Sequence, residues 1–513
     1  MNWEVIAFVV YFVLVIGIGI YFYIRSRSGG EKEYFLGGRS MSGPVAALSA
    51  GASDMSAWVL MGLPGAIYAA GLSQIWISIG LFIGTFLAWL FVAPRLRTFS
   101  IAAKDSITIP QYLNNRFLSG NIALQAVCAI VFIVVYCIYS ASSISACGDL
   151  FQTVFGLNDG GRKTAMAAAA IIIVAYTFLG GFNAVCWTDF FQGLLMLAAL
   201  MAAPIVAVAV MSGSGFIAPD KVLGKHYYNL LSTGSIDGAA IVTILSGLGW
   251  GLGYFGMPHI LVRYMSIRSK KEMKRSQKIG IAWTFMILLM ATIVGIVARQ
   301  YLGDELILSG KTSTAFIHVV RGVFPSALAG ILLSAILAAS MSTADSQLRA
   351  SSSAFSSDIY KPLRKKASDK EIMWAGRFVV AFICVIAFLI AWLGNKSIMD
   401  LVENAWGAFG AAFGPTILLS LYWKRFNYAG AICGIISGFV ADIGWAVACG
   451  KMIINPDKAV LTGTLSGLYE IIPGFLVSLL VCVVVTLSTA KPDKEVEEMF
   501  DRAVRMTEEE DAE

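Results

Sequence analysis

The sequence predicts an all-α polytopic membrane protein of about thirteen membrane-spanning helices, and three observations carry that prediction. Its 513 residues are 58% hydrophobic and only 14% charged, with a mean hydropathy of +0.75, far from the average of a water-soluble domain. The apolar residues fall in runs of about 20, the length that crosses a hydrocarbon layer of roughly 30 Å as a helix. Lys and Arg gather in alternate gaps between those runs.

The spans are expected at 3–24, 43–69, 75–94, 123–155, 164–181, 187–212, 237–260, 277–301, 317–350, 374–394, 398–421, 427–449 and 469–488. The first has no cation ahead of its apolar stretch and no small-residue cleavage site, so it reads as a retained helix rather than a signal peptide. One set of gaps holds Arg25, Arg27, Lys32 and Arg39, then Arg95, Arg97, Lys104 and Arg116, then the cluster from Arg263 to Lys278. It continues with Lys361, Arg364, Lys365, Lys366 and Lys370, and with Lys424 and Arg425. The opposite set holds mostly one or two cations per gap, such as Arg162 and Lys163, or Lys396. The positive-inside rule then puts the N-terminus outside and the C-terminus inside, which an odd number of spans allows. The net charge of +6 is thus a mark of membrane orientation, and no nucleic-acid-binding surface is expected. The tail 491–513 is expected to be a short cytoplasmic amphipathic helix that ends in a disordered acidic run.

Cysteine and histidine exclude more than they assign. The eight cysteines lie in or beside apolar spans without CxxC spacing and read as small core hydrophobes. His226, His259 and His318 pair with nothing at metal spacing, so neither a transition-metal centre nor a His-based catalytic triad is expected. No GxxxxGK[ST] loop occurs.

Chemistry must therefore be sought within the spans, where a carboxylate costs roughly 2.5 to 3.5 kcal/mol on insertion scales and is a functional candidate by default. In LSAGASDMSAWVLMGLPG, residues 48–65, Asp54 is accompanied by the poor helix formers Gly51, Ser53 and Ser56. If the helix opens there, the carbonyls of Ala52 and Met55 lose their amide donors and can face one small cation. A glycine-rich packing seam with Asp54 bonded locally remains the alternative. In SALAGILLSAILAASMSTADSQLRASSSAF, residues 326–355, Ser342 and Thr343 are adjacent hydroxyls close to Ala339; hydroxyls and carbonyls suit a hard cation, although such hydroxyls also back-bond within a helix. In LSGLGWGLGYFGMPHILVRYM, residues 245–265, five glycines precede Pro258 and predict a second interruption. Trp250 and Tyr254 there, four apart, share a face and could form an aromatic wall, with Tyr139 as a further ring; packing against neighbours or lipid is the plainer use. The two interruptions lie five spans apart, hence in opposite directions across the membrane, which is the pattern of inverted halves around a transporter binding site.

These segments, with YFLGGRS (34–40), FLGGFNAVCWTDFFQ (178–192), AWGAFGAAFGP (405–415) and GLYEIIPGF (467–475), resemble the sodium/solute symporters over nearly the whole chain. The resemblance implies a leucine-transporter-like five-plus-five inverted repeat. It divides the chain into 1–42, a first repeat at 43–212, a second at 213–425, two final spans at 426–490 and the tail 491–513. It implies a multi-pass protein of the cell membrane with no enzymatic activity, taking up L-proline with Na+ as coupling ion and no other cofactor; a sugar, sialic acid, choline or pantothenate is the alternative solute. It further implies a sodium site at Ala52, Met55, Ala339, Ser342 and Thr343 with Asp54 beside it, and a solute site at Ser56, Tyr139, Trp250, Tyr254 and Pro258. Asp189 matches a position that serves a second sodium in some relatives. Asp345 either assists ion exit or a second ion, or pairs with Arg349 one turn on, and the pairing is the favoured reading.

Overall fold

The computed structural model describes residues 3–25, 31–179, 181–213, 215–216, 223–394, 396–451 and 460–512, and among these the only β-type pairing is a short bridge between Met41 and Ile267. The main helices are α1 (Trp3–Arg25), α2 (Gly43–Asp54), α3 (Leu63–Ala70), α4 (Leu72–Ala102) and α5 (Ala123–Phe155). There follow α6 (Asp159–Leu179), α7 (Phe182–Met211), α8 (Gly238–Gly249), α9 (Pro258–Ser266), α10 (Lys270–Leu302) and α11 (Ser326–Phe355). Last come α12 (Asp369–Leu393), α13 (Ile398–Tyr422), α14 (Tyr428–Ala448), α15 (Ile471–Ser488) and the tail helix α16 (Lys494–Ala512).

Among the described residues, 12 helical segments are long and apolar enough to cross a membrane. The expected span 43–69 is not one of them, because it is cut in two: α2 stops at Asp54, and α3 resumes after a widened turn at Trp58–Gly62. The expected span 317–350 is also divided, since Pro325 separates a short helix, Ala315–Val323, from α11; proline cannot donate to the preceding turn. Expected span 75–94 is too short: α4 runs on to Ala102 and carries Arg95 and Arg97 beyond the apolar core. The tail differs as well. Its acidic end is helical to Ala512 rather than disordered.

Burial separates a centre from a rim. In their most apolar stretches α11 and α13 are 83% buried, whereas α1 is 28% and α14 and α15 are 33% buried. The rim helices turn large apolar side chains outward, Phe378 and Leu393 of α12 among them, as a lipid solvent requires. The buried carboxylates Asp54, Asp189 and Asp345 all face the protein interior.

Close backbone contacts explain much of the glycine in the second interruption. A Cβ on Gly251 would collide with the Gly80 carbonyl oxygen of α4, and one on Gly256 with the Phe409 carbonyl oxygen of α13. Only glycine allows three backbones to meet so closely. The tail helix packs on the end of α4: Phe500 meets Phe99 edge to face at 5.3 Å, and Lys424 pairs with Asp501 at 2.7 Å.

Candidate functional site

The first break is built from a few bonds. The Met55 amide still donates to Gly51 O at 2.8 Å, but the Ser56 amide turns to Asp54 O at 2.9 Å and the Val59 amide to Ser56 O at 3.1 Å. The carbonyls of Ala52 and Met55 are thereby released from the helical ladder. The Asp54 carbonyl is occupied on several sides, with Trp58 Nε1 donating at 3.2 Å and the Tyr139 hydroxyl 3.5 Å away.

Across from this break runs α11. The Ser342 hydroxyl donates to the Ala52 carbonyl at 2.7 Å and approaches its own turn at Ala339 O, 3.2 Å away. Thr343 is fully buried and its Oγ1 has no hydrogen-bond partner, an arrangement that costs stability unless something is bound there. Ala52, Ala339, Ser342 and Thr343 are thus brought together at the α2–α11 contact, with the Met55 carbonyl free at the same break. The donor set is all neutral oxygen, which fits a small hard monovalent cation better than a transition metal.

Asp54 turns to the second break. Its Oδ2 accepts the Tyr254 hydroxyl, while Oδ1 is buried without a partner. Tyr254 lies in the 3-10 segment Trp250–Phe255, the second interruption of the chain, which joins α8 to α9.

Aromatic rings wall this second break. The Trp250 ring lies 6.2 Å from Trp58 and 5.1 Å from Tyr469 between centroids, and Tyr254 meets Trp406 edge to face at 5.1 Å. Trp406 Nε1 donates to the Trp250 carbonyl at 2.7 Å, so α13 grips the segment by its backbone. Pro258 opens α9, where its fixed φ and missing N–H are tolerated. Ser56, Tyr139, Trp250 and Tyr254 are all buried around the two breaks. Since α2 ends and α9 begins here, a negative and a positive helix terminus face the same region.

Toward the arginine-rich side lies a polar network. Asp189 Oδ2 accepts from the Ser49 hydroxyl at 2.7 Å and from Arg263 Nη2 at 3.1 Å, and Arg263 also donates to Ser346 Oγ. Asp345 pairs with Arg349 at 3.0 Å. A cavity of about 20 Å³ is bordered by Arg263, Arg349, Ser346 and His259. Below it Arg39 donates to Met265 O at 2.6 Å, Ser106 O at 2.8 Å and Asp105 Oδ1 at 2.8 Å, which ties α9 to the end of α4.

Sequence reading missed Trp58, Arg263, Trp406 and Tyr469. Trp58 follows Asp54 by four residues, a spacing that could have signalled it. Arg263 is a cation between apolar residues and carried the same warning as Asp54. Trp406 and Tyr469 carry no local signal, because only the fold brings them to Trp250.

The comparisons agree with this architecture. The family model described as "Sodium:solute symporter family" matches residues 34–438. A sodium/proline symporter of Staphylococcus aureus (strain JH9) is 41% identical over 501 residues, covering 97% of this chain and 95% of the relative. The sodium/proline symporter of strain COL of the same species matches equally, at 41% over the same shares. A solved structure described as the substrate-bound outward-open state of a Na+-coupled sialic acid symporter superimposes with a TM-score of 0.75 at 19% identity, over 96% of this chain and 99% of that one. That likeness shows the fold, which is leucine-transporter-like. The chain therefore belongs to the sodium:solute symporter family, as a multi-pass protein of the cell membrane with Na+ as its coupling ion.

Proposed function

We propose that the protein takes up L-proline with sodium by alternating access, with Na+ held between the α2 break and α11 and the solute held at the α8–α9 break. The observation that carries the ion site is the Ser342 hydroxyl on the released Ala52 carbonyl, beside the unpartnered Thr343 hydroxyl. Sodium would take oxygens from Ala52, Met55, Ala339, Ser342 and Thr343. Asp54 would act from beside this shell, since its carboxylate is engaged by Tyr254.

Proline is a zwitterion with an apolar ring. Trp250, Tyr254 and Tyr139 supply apolar walls, Ser56 a hydroxyl, and the start of α9 at Pro258 a partial positive charge. The 41% identity to sodium/proline symporters supports proline as the solute. Asp189 is engaged by Arg263 and Asp345 by Arg349, which favours a role for both in the path toward the arginine-rich side over a standing second ion site.

One sodium per solute is energetically sufficient. A tenfold gradient contributes about 1.4 kcal/mol, and one charge crossing about 100 mV contributes about 2.3 kcal/mol. Because ion and solute favour one closed arrangement, each raises the affinity for the other by the same factor.

Initial uptake of labelled proline into proteoliposomes, with and without an inward sodium gradient, tests the reading. Sodium-dependent accumulation that excess unlabelled proline abolishes is expected. Sodium-driven accumulation of a sugar, sialic acid, choline or pantothenate that proline fails to displace would replace proline by that solute.

A further inference from the structure

The segment GLYEIIPGF leads into α15, and apart from the Tyr469 ring on Trp250 it has no part in the ion or solute site described above. Its Glu470 is buried, with Oε1 accepting from Asn404 Nδ2 of α13 at 3.1 Å and Oε2 lying 3.4 Å from Lys451 Nζ. Lys451, just past α14, also lies 3.6 Å from Glu403 Oε1 of α13. Two carboxylates therefore share one ammonium, and a third, Asp442 of α14, faces the same cluster without an ion pair to it. Asp442 is 2% exposed, and its Oδ1 has no hydrogen-bond partner.

The direction of Asp442 follows from Gly407. A Cβ at that glycine would touch Asp442 Oδ1 at 2.8 Å, Glu470 Cγ at 3.3 Å and the Tyr469 ring at 3.4 Å. The three side chains thus converge on one point of α13. Asp442 is also wedged against α15, since a Cβ on Gly474 would lie 2.9 Å from the Asp442 Cβ. The groups around it are Glu403 and Asn404 from α13, Tyr469 and Glu470 ahead of α15, and Cys449 and Lys451 after α14. Among the described residues Lys451 is the one cation of this group, and Glu470 and Glu403 already share it.

A buried carboxylate with an unpartnered oxygen and no cation of its own carries a heavy desolvation cost when ionised. We propose that Asp442 is a proton-binding site, and that its proton links pH on the side where α13 begins to the grip on the transported solute. The link runs through Tyr469. Its hydroxyl donates to Glu403 O at 2.8 Å, its amide donates to Ser246 Oγ of α8 at 3.0 Å, and its ring packs on Trp250. Loss of the proton leaves two uncompensated negative charges beside Tyr469. Their repulsion spreads α13, α14 and the segment before α15, and withdraws Tyr469 from Trp250. The protonated form has the higher solute affinity. This last step rests on the reading of Trp250 as a wall of the solute site; the proton site itself does not.

The test uses purified full-length protein. Infrared difference spectra across an acid-to-alkaline pH titration should show the C=O stretch of a protonated carboxyl that disappears at the alkaline end and is missing from Asp442→Asn. Absence of that band from the wild type, or its persistence unchanged in Asp442→Asn, overturns the site. In proteoliposomes at fixed sodium gradient and membrane potential, the apparent KM for proline should rise about fivefold or more across that range. In Asp442→Asn it should stay at its acid-side value throughout, with the maximal rate and the sodium half-saturation unmoved. A wild-type pH profile retained by Asp442→Asn overturns the link. If proline is not transported at all while the infrared band behaves as stated, the solute assignment has failed and the proton site stands. Glu470→Gln gives an independent second variant, expected to move the pH midpoint of the band to lower values by removing a neighbouring negative charge.

Discussion

At Asp54 a single residue serves both interruptions of the bundle: its carbonyl meets Trp58 and its carboxylate meets Tyr254, 200 residues further on. Thr343, by contrast, has nothing to bond to. The two residues should therefore fail in different ways. Thr343→Ala should raise the sodium concentration for half-maximal uptake about tenfold, the worth of one oxygen contact to a charge, with little change at saturating sodium. Asp54→Ala and Tyr254→Phe break the same bond, so the double variant should lose no more activity than the worse single one; additive losses would show that the two act separately. Part of this was readable in the residues alone. Ala52 and Ser342 announce themselves by helix interruption and hydroxyl chemistry. Gly51 does not act as the sequence suggests: α2 runs straight through it, and a Cβ there would collide with the Trp283 ring. It makes room for a neighbour rather than opening the helix. The Arg263–Asp189 pair was hidden because no periodicity relates residues on different helices.

The 3-10 segment Trp250–Phe255 exists because neighbouring helices press their backbones against it. Gly253→Ala would drive a methyl group into the Trp406 ring, an overpacking that costs about 1–3 kcal/mol at the aromatic wall of the second break. Uptake should be lost and the melting temperature in detergent lowered, whereas Gly444→Ala in α14, with open space around its Cα, should leave both nearly unchanged. A second element-scale device is the strap at Arg39. Burial alone would raise the Asp105 carboxyl, but Lys32 and Arg39 together hold it below its ordinary value. A depressed carboxylate contributes stability above its unfolded value of about 4 and loses that contribution as pH falls through the lowered folded value. Thermal stability conferred by Arg39 should thus be constant from about pH 5 to pH 8 and decline only in stronger acid, as melting curves of wild type and Asp105→Asn can show. Element positions were mostly legible, since apolar runs of membrane length leave little choice. Their ends were not: α4 outlasts its apolar stretch because Arg97 Nε donates to Ile267 O at 2.7 Å, a contact that hydropathy does not encode.

For the whole molecule, polar chemistry is divided between two ends of one bundle. Arg39, Arg97, Arg263 and Arg349 bind the arginine-rich side together, while Glu403, Asp442 and Glu470 gather where α13 begins. The tail helix belongs to the arginine-rich side, where it covers Arg116: the guanidinium lies 4.8 Å from the Phe500 ring, and burial pushes its pKa down to about 10. Removing residues 494–512 should expose this arginine and the apolar face around Phe99, lowering the melting temperature in detergent while leaving the sodium half-saturation unchanged.

The bond from Ser342 to Ala52 has a further meaning for a carrier that must cycle. A protein that delivers its cargo has to return without it, and bare dipoles at membrane depth would make that return slow. If sodium binds where proposed above, a hydroxyl that can turn its proton toward the carbonyl would supply a stand-in for the ion, so that loading exchanges one partner for another instead of creating order from nothing. Sodium affinity at the proposed site would be moderated by that exchange. A site that can satisfy itself lets go of what it carries, and release is half of transport.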